Sequence, residues 1–262
     1  MPIISISIQK GGSGKTTTAI NLAAALKQLG KSVLLVDIDP QANLSQALGV
    51  EEPTPNLYSL IKEEMDGEES DIKSAILQAG ELAFVPSSLD LASAELELVS
   101  SYGRENMLNL ILNPVKNEYE FILIDCPPAI GMLTVNALVA SEYVLMPLQA
   151  EFLSYKGVQS FMRSFKRIKR QLNQQLEILG FVLTKYDPRK SMNRNILAQL
   201  ETDYGDKVFL THIRTNIALA KAQEWGVDIF SYDNSSNGAY DYMQLAQELL
   251  LKLERTDVMN AK

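Results

Sequence analysis

Only one cysteine, Cys126, occurs among 262 residues, so the chain cannot carry an internal disulfide, nor an iron–sulfur or zinc centre built on several thiolates. Histidine is equally scarce. His212 alone cannot make a metal cluster, and at an expected strand end it gives no basis for a Ser–His–Asp arrangement. No apolar run approaches the ~18 residues that span a bilayer, and the N-terminus lacks a basic-then-apolar leader. The expected location is cytoplasmic. Positive charge is also short: 24 Lys and Arg against 32 Asp and Glu leave −8, which at face value argues against nucleic acid.

The distribution of charge along the chain points the other way. Residues 1–150 hold 8 basic against 19 acidic side chains, net −11, whereas 151–227 hold 13 against 7, net +6. A polyanion-facing surface on an acidic body fits this asymmetry. What remains is ordinary globular composition, with 46% hydrophobic and 21% charged residues, enough to bury a sizeable core.

Short β-rich runs alternate with helical stretches. Strands are expected at Ile3–Ile8, Val33–Val36, Leu82–Val85, Phe121–Ile124, Tyr143–Met146, Ile178–Leu183 and Val208–Leu210. Helical periodicity covers Thr16–Leu29, stopped by Gly30, then Val158–Leu172, Met192–Leu200 and Tyr240–Leu253. Such alternation predicts an α/β fold, a mostly parallel central sheet with helices on both faces. No Pro-, Gly- or Ser-rich linker divides the chain; the acidic stretch Glu51–Asp71 reads as a surface excursion. We expect a single domain, 1–262, with a short tail at about 256–262.

The first strand leads into Gln9-Lys10-Gly11-Gly12-Ser13-Gly14-Lys15-Thr16-Thr17 and a helix. Glycines let successive backbone N–H groups turn inward around phosphate oxygens, and the helix N-terminus adds a favourable dipole. Lys15 is placed to reach the β- and γ-phosphates and the Thr16 hydroxyl to ligate Mg²⁺. The loop departs from G-x-x-x-x-G-K-[ST], with Gln9 in the first glycine position and a second lysine, Lys10, five residues before Lys15. Two cations so close repel unless an anion lies between them; a triphosphate would serve. Asp37-Ile38-Asp39-Pro40-Gln41 ends the second expected strand, and Asp125-Cys126-Pro127-Pro128 follows Phe121–Ile124. Ligands of open α/β sheets gather at such strand ends.

On these motifs, together with Asn21-Leu22-Ala23, the sequence resembles the ParA/MinD superfamily of deviant-Walker ATPases and looks like a ParA-type partition ATPase. Weaker echoes run through Pro147–Glu151, Gly180–Thr184 and Gly238–Tyr240, so the likeness spans nearly the whole chain. It implies a P-loop NTPase fold, with ATP and Mg²⁺ as cofactors. Lys10 would cross a dimer interface to the partner's nucleotide, with Lys10, Lys15 and Asp39 as the catalytic set. Gly11, Gly12, Ser13, Gly14, Lys15, Thr16 and Thr17 would bind phosphate. Asp39 would orient the attacking water, and Thr16, Asp39 and Asp125 would make the magnesium site. Adenine preference would involve Thr184, Arg214 and Asn216.

The likeness also implies an ATP-dependent homodimer that binds double-stranded DNA without sequence preference, is nucleoid-associated, and positions a plasmid, chromosome or protein-organelle cargo. A ParB-like centromere-binding protein or cargo adaptor would stimulate hydrolysis. DNA candidates are Arg163, Lys166, Arg167, Lys169 and Arg170, on a helix whose apolar stripe is Val158, Phe161, Met162, Phe165, Ile168 and Leu172. Arg189, Lys190, Arg194, Arg214 and Lys221 add to them, although Ala218 stands where ParA relatives place an arginine. The competing reading of the helix is a solvated face. Two other functions stay open on the same fold: a MinD-like membrane-surface switch, disfavoured by the mixed charge of the tail, and an ATP-dependent biosynthetic enzyme. His212 is expected as a satisfied, partly buried ring, Cys126 as packing with a raised thiol pKa, and Trp225 as core or rim.

Overall fold

The computed structural model describes residues 2–260. Of the expected tail, 256–260 continue the last helix, Asn237–Asn260, while 261 and 262 lie outside the described residues. The strands are β1 (Ile3–Ile6), β2 (Val33–Asp37), β3 (Leu77–Ala79), β4 (Leu82–Val85), β5 (Phe121–Asp125), β6 (Tyr143–Gln149), β7 (Glu177–Tyr186) and β8 (Ile213–Arg214). They make one sheet in the order β3-β4-β2-β5-β1-β6-β7-β8, parallel except for the β3–β4 pair. Every residue of β1, β2, β4 and β5 is buried, which is why these strands read as unbroken apolar runs.

Both faces are covered. On one, the helix Lys15–Gln28 lies against β2 and against Asn237–Asn260, where fully buried Tyr242 shares a 3.3 Å hydrogen bond with Thr18. On the other, Leu60, Ile61, Leu108, Ile111 and Ala137 pack over Val36, Ile122 and Ile124. Farther along that face Val158, Phe161 and Phe165 pack with Met146, Leu148 and Phe181. Burying each such aliphatic or aromatic side chain contributes about 1.5–3 kcal/mol.

The chain leaves β1 to one side, towards β2, and returns on its other side as β6, so the order reverses at β1. At such a switch point the loops after neighbouring strands splay apart and leave a crevice. The register sets Asp125 beside Ile6 on one side and Asp37 on the other, so three strand ends bring their functional residues to one edge.

Three expectations need correction. Val208–Leu210 is not a strand: Val208 makes a single bridge to Phe181, Leu210 is 82% exposed, and the edge place belongs to β8. The segment runs beside β7 only briefly, with the Phe209 N–H donating to the Phe181 carbonyl at 2.9 Å, and it packs so close that a Cβ on Gly180 would meet the Lys207 carbonyl and the Phe209 ring. The excursion 51–71 is only partly surface, because the helix Leu57–Met65, capped by Asn56 accepting from the Ser59 N–H, buries Leu57, Leu60 and Ile61. Leu172, read as the end of an apolar stripe, lies just past the helix Phe152–Gln171 and is 45% exposed.

Candidate functional site

β1 delivers the chain into a loop whose shape depends on glycine. Gly12 and Gly14 have φ of +70° and +90°, a region that costs a side-chain-bearing residue strain, and Gly14 also lies close against Thr184. The loop then opens the helix Lys15–Gln28 at the edge of a cleft of about 610 Å³, a volume suited to a nucleotide. Residues 11–17 line it, joined by Asp39, Gln41, Asn43, Gln46, Pro128, Lys185 and Gln223. Lys15, 7% exposed, is held by a 3.3 Å hydrogen bond to the Lys10 carbonyl. Thr184 fastens the loop from β7 by donating to the Ser13 carbonyl at 2.8 Å.

Under the loop lies a carboxylate pair. Thr16 donates to Asp125 Oδ2 at 2.6 Å, while the buried Oδ1 of Asp125 and the buried Ser13 hydroxyl have no partner. Burial, and then the nearby Asp37 charge, push the Asp125 carboxyl well above the usual carboxylate range. Asp37 is raised to about 7 by burial, against the opposing pull of its Ser45 hydrogen bonds. A dication would relieve both. The donors there, one hydroxyl and one carboxylate with a free buried oxygen, are hard oxygens that fit Mg²⁺. Among the described residues no cluster of three or more His, Cys, Asp or Glu could hold a metal by itself.

Lys10 does not line its own cleft. Its ammonium donates to Glu151 Oε2 and to Ser154 Oγ, both at 2.8 Å, at the start of the helix Phe152–Gln171. That contact lowers the Glu151 pKa. Asp39, 5% exposed, points Oδ1 at the Gln41 N–H at 3.0 Å.

Arg214 and Asn216 stand apart from the cleft lining. Arg214 is clamped by Asp241, with Nη2 to Oδ1 at 2.6 Å, and Asn216 caps the helix Ile217–Glu224 by accepting from the Ala218 N–H. Asn43, Gln46 and Gln223 enter without having been expected. Gln223 donates to the Thr17 hydroxyl at 3.2 Å across 206 residues, a separation that no local pattern announces. Lys185, at φ +50°, is a strained side-chain-bearing residue facing the cleft.

On the helix Phe152–Gln171, Arg163, Lys166, Arg167 and Arg170 are exposed opposite the buried stripe, while Lys169 pairs with Glu177. Arg189 is held bidentate by Asp187, Arg194 binds the carbonyls of Pro188 and Arg189, and Lys190 and Lys221 are exposed. His212 stacks on Tyr186 with centroids 4.5 Å apart; burial lowers its pKa, and its Nε2 lacks the partner expected of a satisfied ring. Trp225 is rim, 75% exposed. The Cys126 thiol is fully buried and pushed up to about 12 by burial and by Asp125. At pH 8 a thiol reagent is therefore expected to leave the folded protein unlabelled and to label it promptly in denaturant; rapid labelling without denaturant would contradict this environment.

The AAA domain family matches residues 1–178. The chain is 39% identical over 249 residues to the sporulation initiation inhibitor protein Soj of Bacillus subtilis, covering 94% of this chain and 97% of that one. It is 42% identical over 246 residues to the chromosome-partitioning ATPase Soj of Treponema pallidum, covering 93% and 95%. Among solved structures it is similar to cobyrinic acid a,c-diamide synthase from Mycobacterium smegmatis with bound ADP and magnesium. There the TM-score is 0.82 at 31% identity, over 97% of this chain and 96% of that one.

Proposed function

We infer the function from one premise: this chain belongs to the ParA/MinD-type P-loop ATPases. It is an ATPase, and we propose that it works as a positioning switch, dimerising around ATP, holding DNA in that state and releasing it after hydrolysis. The observation that carries the proposal is the placement of Lys10, outside its own cleft and tied to a charged rim, where a second copy could offer it a phosphate.

The residues divide the work. Inward-facing amides of 11–16 and the Lys15 ammonium hold the phosphates and neutralise charge developing on the transferred group. Thr16 and Asp125 would hold Mg²⁺, which when bound would neutralise phosphate charge during transfer. Asp39 accepts a hydrogen bond from the attacking water and aligns it. Lys10 of the second copy completes the charge, so turnover waits on assembly. A switch of this kind has two states with different affinities for partner and polyanion.

The exposed row Arg163, Lys166, Arg167 and Arg170 supports the DNA half of the reading, with a ParB-like or adaptor protein as the partner that speeds release. If these four contact phosphates, log affinity falls with log salt at a slope steeper by roughly 3–4 than in the fourfold alanine variant. Filter binding of random-sequence duplex at 50 and 200 mM salt, with ATP, measures this. Absence of ATP-dependent retention would reject DNA binding, and retention by vesicles instead would favour the membrane-surface alternative.

A further inference from the structure

We propose that Asp37, Ser45 and Ser87 form a buried hydrogen-bonded strap whose task is to fix Asp39 over the cleft, making all three positioning residues for hydrolysis. Asp37 ends β2 and is wholly buried. Its Oδ1 accepts from the Asp39 N–H at 3.2 Å; its Oδ2 accepts from the Ser45 N–H at 2.9 Å and the Ser45 hydroxyl at 2.8 Å. The same Ser45 oxygen accepts from the Ser87 N–H at 3.0 Å, and the Ser87 hydroxyl donates to the Asp39 carbonyl at 2.7 Å. The circuit closes on Asp39, whose N–H and C=O are gripped from opposite sides.

The chain between runs through Ala42 at φ +50°, with the Ala42 N–H on the Asp39 carbonyl at 2.8 Å. Such a conformation persists only where the surroundings over-determine it. Asp37, Ser45 and Ser87 are each 0% exposed and none lines the cleft. The strap therefore touches no ligand itself, and its hydrogen bonds to the Asp39 backbone are its direct link to a cleft-lining side chain. It also joins three separate pieces, the end of β2, the short helix Asn43–Ala47 and the chain just after β4, so one hydroxyl registers Asp39 against the rest of the sheet edge. A buried carboxylate is a costly way to close a loop. Its three hydrogen bonds are what close placement of a water-aligning side chain requires, since small misplacements cost rate more than affinity.

The inference rests on the ATPase reading with Asp39 as the water-aligning group. Its test is a cycle of Ser87→Ala, Asp39→Ala and the double variant in the full-length protein, with ATP binding, single-turnover hydrolysis and melting temperature measured for each. Ser87→Ala is expected to lower the hydrolysis rate roughly 10- to 100-fold with ATP affinity within about twofold, and to add less than about twofold loss in the Asp39→Ala background. An unchanged rate, an affinity loss in parallel with the rate, or full multiplication of the two losses would overturn the strap. Ser45→Ala removes the same link from its other side and carries the same expectations if Ser87→Ala does not fold. A wild-type protein that binds but never hydrolyses ATP would instead sink the underlying reading, and an active wild type with an unaffected Ser87→Ala variant sinks the strap alone.

Discussion

Replacing Lys10 by alanine is expected to cut ATP turnover by about 10²–10³-fold while ATP affinity changes only a few-fold, because the lost interaction exists in the transition state and not in the monomer's cleft. In the single chain the Lys10 ammonium is 2.8 Å from Glu151 and from Ser154, and the cleft is lined by Lys15 without it. A cation that binds nothing of its own nucleotide cannot hold that nucleotide in the ground state. Steady-state hydrolysis and equilibrium binding of a fluorescent ATP analogue separate the two effects. On the proposed two-chain active unit, turnover should also rise faster than linearly with protein concentration at the low end. Equal loss of affinity and rate would contradict a role across the interface and return Lys10 to its own phosphate loop.

Asp39→Ala is expected to have the opposite signature in assembly. On the proposed role of Asp39 in aligning the water, its removal lowers hydrolysis by about 10²–10⁴-fold, yet leaves Lys15, Thr16 and the loop amides to hold the triphosphate. The dimer should then persist with ATP, because nothing discharges it. Static light scattering with ATP gives the mass directly, and a monomer at micromolar protein would contradict the prediction. The two variants thus fail at different stations, Lys10→Ala before a productive dimer completes its site and Asp39→Ala after.

Legibility in the sequence depended on how far apart the interacting residues lie along the chain. The phosphate loop, Asp39 and Asp125 could be read because each is a short motif at the end of a strand buried on both faces, where an unbroken apolar run stops at a charge. β3 was not, since Leu77–Ala79 has three residues, none buried, and no periodicity to detect. Val208–Leu210 misled because an apolar triplet looks alike as a strand or as a segment that makes one bridge, and its partner Phe181 lies in another element. Lys10 stands out in the sequence as a cation in need of an anion, but its resting partner is 141 residues away. Asp37 is plainly visible at the head of the Asp37–Gln41 motif. Its role emerges only when Ser45 and Ser87, 8 and 50 residues on, are brought to it by the packing of β2 beside β4.

The exposed indole at position 225 has a practical side. It is the sole tryptophan in the chain, it sits at the end of the short helix that sends Gln223 into the cleft, and three-quarters of its surface meets solvent. Its emission comes from one known place without any label. A blue shift on adding ATP would report the covering of that rim in real time, and an unmoved spectrum would show that assembly leaves this flank bare.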